Sequence, residues 1–350
     1  MIDSKDISVI VQGAIDKRLT PVCLASIRTH LPDAAIILST WKGMAPEYLD
    51  YDILVESEDP DAYCIDTYGT KNNVNRQILS TKNGLARAST LYALKMRSDM
   101  EITGTSFLHY FFAFPARSDR FKLLRSRLVI SNLYTSNAEK TKFLFHPSDW
   151  ICFGFREDVA HLWDIDLAPE PETSAFFRKN KKQFALQDPV PTWKFRYIPE
   201  QYICLAFVKK FCQLDFQHYL DYTPANLSVW NAVLANNFVV LDYHGQLDMR
   251  FLKYDPDIHK PENQLTHFQW LKLYKELCDT AYQLPLRHKL SNDPKRRKLI
   301  ERLRSFYSRF THPLKAVAKW TGAAFSLPYC VMRLILREAD MRARHYLSRR

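Results

Sequence analysis

Two aliphatic runs, Ile7-Ser8-Val9-Ile10-Val11 and Ala35-Ile36-Ile37-Leu38, bracket a stretch with helical spacing, and this alternation limits the chain to few folds. Neither run alternates strictly between apolar and polar residues, so each needs cover on both faces, as strands of a parallel sheet do. Between them Thr20 is placed to cap a helix with Pro21 at its first position. Val22, Leu24, Ala25, Ile27 and Leu31 then fall on one helical stripe. Pro32-Asp33 makes a turn, and Tyr51-Asp52-Ile53-Leu54-Val55 reads as a third strand. Strand–helix–strand order predicts right-handed crossovers and a parallel sheet. The runs stop at Gln12-Gly13 and Ser39-Thr40-Trp41, which such a sheet would place on one carboxyl edge.

Residues 72–99 add the fourth strand and the densest group of polar donors. Asn73, Asn75, Arg76 and Gln77 open a helix, and Tyr92, Leu94 and Met96 alternate with Ala93, Lys95 and Arg97 as in a strand with one buried face. That strand ends at Arg97-Ser98-Asp99, the edge where open α/β sheets bind ligands. Asp99 is therefore a candidate to hold a divalent metal and, through it, a diphosphate. The plainer reading makes it a turn-opening residue at a solvated strand end.

The blocks ISVIVQG, SIRTHLPDAAIILSTWKG, NNVNRQILSTKNG and LKMRSD occur in this order. Together they resemble the WavE lipopolysaccharide-synthesis family of bacterial glycosyltransferases, over most of residues 5–210. The resemblance implies a GT-A-like nucleotide-binding fold and transfer of a sugar onto a surface glycan. A GT-A enzyme typically carries two acids in a D-x-D motif where this chain reads Arg97-Ser98-Asp99. The single acid leaves Arg97 to supply part of the positive charge that a second metal ligand would recruit.

With 47% hydrophobic and 25% charged residues, the 350-residue chain is able to bury one large core or two small ones. No G-x-G-x-x-G, P-loop, H-E-x-x-H or G-x-S-x-G motif occurs. Seven scattered cysteines without a C-x-x-C read as reduced thiols rather than disulfides or zinc ligands. MIDSKDISVI lacks the apolar run of a signal peptide, so a cytoplasmic location is expected. Charge is uneven: Pro285 to Arg350 holds 17 basic and 4 acidic residues, net +13, against −2 for the first 284. Leu299, Leu303, Phe306 and Phe310 form a helical stripe flanked by Lys298, Arg302, Arg304 and Arg309, and Trp320 to Met332 is an uncharged segment. That segment is shorter than the ~20 residues a membrane-spanning helix needs. The tail is thus expected to lie on anionic lipid as a peripheral inner-membrane anchor. The rival readings are packing on the core and, least favoured for want of stacking aromatics, nucleic-acid binding.

The middle of the chain is expected to carry the acceptor side. Phe107, Phe111, Phe112 and Phe114 precede a basic face at Lys122, Arg125 and Arg127. Phe143 to His146 reads as a strand, Pro147 to Trp150 as a polar turn, Ile151 to Phe155 as a second strand, and Arg156 to Trp163 as a helix. Asp149 is either an active-site carboxylate or a turn residue. Pro199-Glu200-Gln201 starts a helix, with Glu200 either a dipole partner or the general base of an inverting transfer. Further helices are predicted over Gln213–Asp221, Asn226–Asn236 and Leu265–Leu284, with a strand at Phe238–Leu241. His244 is a candidate late metal ligand.

These readings combine into an α/β protein with a GT-A-like, Rossmann-type, mostly parallel sheet and flanking helices, plus a basic helical C-terminal tail. Residues 1–289 form the transferase domain, its nucleotide-binding half about 1–105 and its acceptor half about 106–289, and residues 290–350 form the tail. Gln12, Gly13, Asn75, Arg76, Gln77, Lys82, Arg97 and Asp99 are expected to bind a nucleotide sugar, with Mg²⁺ or Mn²⁺ on Asp99. Glu200 or Asp149 would take the proton from a lipid-linked glycan acceptor. Two other classes fit part of the pattern: a sugar nucleotidyltransferase, which usually has a Gly-rich loop after its first strand, and a non-catalytic protein that binds anionic lipid.

Overall fold

Seven strands form the central sheet of this computed structural model, which describes residues 2–64, 71–180, 195–253 and 261–285. In chain order the strands are β1 (Ile7–Gln12), β2 (Ala35–Trp41), β3 (Ile53–Ser57), β4 (Tyr63–Cys64), β5 (Lys71–Asn72), β6 (Tyr92–Arg97), β7 (Met100–Ile102), β8 (Leu128–Ser131), β9 (Ile151–Phe155), β10 (Phe238–Leu241) and β11 (Met249–Phe251). The sheet order is β10-β8-β9-β6-β1-β2-β3. β3, β2, β1 and β6 are parallel, as are β8 and β10, while β9 runs antiparallel to both β6 and β8. Two small antiparallel ribbons, β4-β5 and β7-β11, complete the strand set.

The aliphatic runs explain the centre of this sheet. Ile7, Val9, Ile10 and Val11 are fully buried, as are Ile36, Ile37 and Leu38 of β2, and each such side chain contributes about 1.5–3 kcal/mol. Helices α1 (Leu19–His30) and α2 (Val74–Leu85) make the crossovers. Helix α1 begins before Thr20, because Asp16 accepts from the amides of Arg18 and Leu19 while Thr20 itself accepts from the Asp16 amide. Helix α2 lies close on the sheet at Gly84, where a Cβ would come within 2.6 Å of Ile10 Cγ2.

Short helices α3 (Phe107–Tyr110) and α4 (Ala138–Thr141) follow, then α5 (Arg156–Trp163), α6 (Phe176–Lys179), α7 (Pro199–Val208), α8 (Pro224–Asn237) and α9 (His267–Leu277). Three expectations change. Phe143–His146 is not a strand, since Phe145 takes a left-handed backbone (φ 53°) that breaks the extended run. Gln213–Asp221 is not a helix, because the Asp221 carboxylate accepts from the amides of Gln217 and His218 and closes a turn instead. Arg127 belongs to no basic face: it is buried and donates to the carbonyls of Ala235, Phe114 and Ala116 at 2.6–2.7 Å.

The chain divides at Leu284, and every described helix and strand belongs to the first unit, Met1–Leu284. The basic stripe and the Trp320–Met332 segment lie outside the described residues. Among the described residues no helix is long and apolar enough to cross a membrane.

Candidate functional site

The chain turns from β1 to β2 and β3 on one side, then returns to β6 on the other, so a crevice opens between the carboxyl ends of β1 and β6. Register puts Gln12 level with Ser39 on β2 and with Arg97 on β6, which places the three polar strand ends side by side. A cleft of about 390 Å³ opens there. Gln12, Gly13, Arg76, Gln77, Arg97 and Asp99 all line it, joined by Asp16, Trp41, Asn73, Ser98 and Lys253. Gly13 has φ of +116°, a conformation that L side chains rarely adopt, and its amide donates to Ser39 O at 3.1 Å. Ser98 ties the two loops together, its hydroxyl donating to Ala14 O at 2.6 Å and its amide to Gln12 O at 3.1 Å.

The cationic side chains of the cleft are held in place. Arg97 donates from Nε to Asp99 Oδ1 at 2.8 Å and from Nη2 to Asp99 Oδ2 at 2.7 Å, and its guanidinium lies 4.4 Å over the Trp150 ring. Arg76 makes the same fork with Asp59, at 2.7 and 2.5 Å. Asn73, Arg76 and Gln77 belong to the amino end of α2, where unpaired backbone amides favour anions. Three cations thus face two carboxylates, Asp16 and Asp99, around a helix N-terminus.

Two expected ligands are employed elsewhere. Asn75 donates to Ala168 O at 3.0 Å and accepts from Ala168 N at 2.6 Å, which fastens α2 to the segment after α5. Lys82 pairs with Asp164 at 2.6 Å on the surface and does not line the cleft.

The donor set does not suit a metal held by the protein. Both oxygens of Asp99 accept from Arg97, and Asp16 is engaged by the amides of Arg18 and Leu19. Among the described residues no group of three or more His, Cys, Asp or Glu is placed to hold an ion. His244 is exposed and packs edge-on against Tyr243, outside the residues lining the cleft.

Strand β9 brings a second set of groups to this edge. Because it is reversed, the residues that precede it, His146 to Trp150, reach the carboxyl ends of its neighbours, with Ile151 paired to Met96. The Asp149 carbonyl accepts from Lys95 Nζ and, at 3.5 Å, from Gln77 Nε2, while Asp149 Oδ1 is buried with no hydrogen-bond partner. Lys95 is the residue that strand periodicity misplaced. It is fully buried, its ammonium lies 4.5 Å from the Trp163 ring centre, and desolvation pulls its pKa down to about 8.

Glu200 sits in the first turn of α7, only 8% exposed. Burial first, and the nearby charge of Asp149 second, push its carboxyl well above the usual carboxylate range. His146 is close to it, with Nε2 3.8 Å from Glu200 Oε2. His146 Nδ1 lies 2.8 Å from the Tyr134 carbonyl, an acceptor, so Nδ1 carries the proton and Nε2 presents its lone pair. Burial lowers the pKa of His146, which keeps the ring neutral.

An α/β sheet with an anion-favouring cleft at its switch point and a buried acid beside it has the arrangement at which open α/β sheets bind ligands. The profile of the WavE lipopolysaccharide synthesis family matches residues 7–304, and the chain belongs to that family. Membership gives it a role in lipopolysaccharide biosynthesis and points to a transferase. A search of curated proteins finds no match.

Proposed function

We propose that the protein is a glycosyltransferase that moves a sugar from a nucleotide donor onto a lipopolysaccharide-type acceptor. The observation that carries this reading is the juxtaposition of the cationic cleft with Glu200 across the His146–Trp150 turn. The diphosphate would lie at the amino end of α2, where Arg97, Arg76 and Lys253 meet the negative charge that grows on the leaving group. Arg97 and Arg76 are pre-oriented by Asp99 and Asp59, so little reorganisation is needed when that charge appears. Trp41 lines the cleft and offers a surface for the base. Glu200, whose carboxyl burial holds well above the usual carboxylate range, would take the proton from the acceptor hydroxyl. Asp149 is within electrostatic reach of Glu200 and would help to keep it basic.

Incubation with a panel of nucleotide sugars, followed by release of free nucleotide, tests the reading. Release that depends on a glycan acceptor and persists in EDTA supports it. Pyrophosphate exchange with a nucleoside triphosphate would instead mark a sugar nucleotidyltransferase. Failure of every nucleotide to bind would leave a lipid-binding protein with an idle cleft. The tail, by its charge, would hold the enzyme on anionic lipid at the inner membrane, where a lipid-linked acceptor is found. Sedimentation of full-length protein with anionic vesicles should then weaken as salt rises, because exposed charges are screened within ~10 Å at 0.1 M.

A further inference from the structure

A second cavity, of about 430 Å³, lies on the other side of the His146–Trp150 turn from the nucleotide cleft. Glu200, the one acid among the described residues of its lining, stands there with His146 and Tyr134. Phe143 and Tyr134 form part of its wall, and Ser136 and Gln264 present a hydroxyl and an amide. Among the described residues no arginine or lysine lines it, in contrast to the cleft. The carboxylate of Glu200 has no side-chain hydrogen-bond partner among the described residues, although the residue is more than nine-tenths buried. Its own backbone amide offsets part of the cost of burial, and a ligand hydroxyl that donates to the carboxylate would offset more.

The wall is built with some strain. Tyr134, Lys142 and Phe145 all take left-handed backbone, with φ of 65°, 62° and 53°, the last two close to Phe143 in the chain. The Phe143 ring lies 16° from coplanar with His146 at 6.1 Å and meets Tyr219 edge-on at 5.8 Å. Phe143 remains half-buried, so one of its faces is available to a ligand.

We infer that this cavity is the acceptor subsite and that it takes an uncharged, polyhydroxylated sugar ring. The inference rests on the glycosyltransferase reading and names the class of acceptor. A pyranose offers a C–H face to Phe143 and several hydroxyls to Ser136, Gln264 and Glu200, which matches a wall of aromatics with a few placed polar groups. A uronic or other acidic sugar would bring its carboxylate beside Glu200 with no arginine or lysine among the described residues of the lining, and like charges in a buried site repel. A deprotonation step would move the hydroxyl proton to Glu200 while the acceptor oxygen forms its new bond to the donor's anomeric carbon. The bond from that carbon to the diphosphate breaks, and the electron pair leaves with the phosphate. His146 is neutral, and its Nε2 lies 3.8 Å from Glu200 Oε2, with its Nδ1 turned to the Tyr134 carbonyl.

Saturation-transfer NMR on the full-length protein, with methyl glycosides of neutral hexoses and methyl glucuronide as probes, tests this directly. Neutral glycosides should receive saturation at millimolar concentration, and the glucuronide at least about tenfold less. Phe143→Ala should abolish the transfer to the neutral ring while nucleoside-diphosphate binding is unchanged. Gln264→Leu, on the cavity rim, serves as the second variant should Phe143→Ala fail to fold. The inference is overturned if no neutral glycoside binds while nucleoside diphosphate does, which leaves the transferase reading standing. It is equally overturned if the glucuronide binds as well as the neutral rings, or if both variants bind like the parent. Loss of diphosphate binding in the parent would remove the transferase reading itself.

Discussion

The cationic cleft at the strand ends and the cavity around Glu200 are neighbours with opposite electrostatics. In the cleft every cation whose contacts are described is already matched. Arg97 is forked to Asp99, Arg76 to Asp59, and the groups stay partly open to water. Around the cavity Glu200 is buried, with His146 Nε2 3.8 Å away and the charge of Asp149 close by, and Asp149 Oδ1 on the neighbouring turn has no hydrogen bond. Paired, half-solvated charges hold a rigid shape, which suits recognition of a fixed anion. The desolvated Glu200 is pushed well above the usual carboxylate range, which suits a proton that must move.

The largest expected effect lies in the cavity. Glu200→Gln keeps the size of the side chain and removes the base, so kcat should fall by about 10²–10⁴-fold. Nucleoside-diphosphate affinity, measured by calorimetry, should be nearly unchanged. A variant that loses nucleotide affinity instead would move Glu200 into the cleft and erase the contrast.

Lys95 joins the two regions, since its ammonium holds the Asp149 carbonyl between them. Its folded pKa of about 8 is below the 10.5 of the free side chain. The unfolded chain therefore binds more protons between those values. The penalty is fully present below pH 8 and disappears as pH rises past 10.5. Lys95→Met should be more stable than the parent at pH 7 by up to about 3 kcal/mol, less what the lost hydrogen bond contributed. The gap between the two proteins should close from pH 8 to pH 10.5 in urea titrations. A gap that is constant with pH would mean that Lys95 is not buried as an ammonium.

Asp99→Asn leaves a side chain of the same shape but halves the fork on Arg97. Hydrogen bonds to charged groups contribute about 1.5–3 kcal/mol, so nucleoside-diphosphate affinity should fall roughly 10–100-fold. The loss should be the same with and without EDTA. A loss seen only when divalent ions are present would assign Asp99 to a metal and overturn the ion-pair account of the cleft.

Lys82→Ala should do least. The pair with Asp164 is exposed, at 47% and 62%, and such pairs contribute at most about 1 kcal/mol. Nucleotide affinity should not change, and a marked loss would extend the cleft to the far end of α2.

Much of the fold could be read from local pattern, because buried strands announce themselves by unbroken aliphatic runs. β1, β2 and β6, and the polar stops that form the cleft, follow from residues 7–41 and 92–99 alone. The direction of β9 could not be read this way, since Ile151–Phe155 looks the same whichever way it pairs. Its reversal is set by partners more than fifty residues away on β6. The same limit explains the misplaced ligands: the donors of Asn75 and Lys82 were plain, but their partners, Ala168 and Asp164, lie more than eighty residues along the chain. Lys95 fell on the polar side of an alternating strand, and only the packing of Trp163 reveals that this side is covered too.

Strand β9 is also the seam of the central sheet. It alone connects the four-stranded run β3-β2-β1-β6 with the pair β8-β10, so each half has an open hydrogen-bonding edge until β9 docks. The strand that delivers Asp149 and Trp150 to the site therefore makes the two halves fold as one cooperative unit. Amides of β6 and β8 should exchange with solvent through a shared opening rather than separately. Damage to the seam would reach recognition and chemistry together, because neither side of the reaction has a sheet of its own.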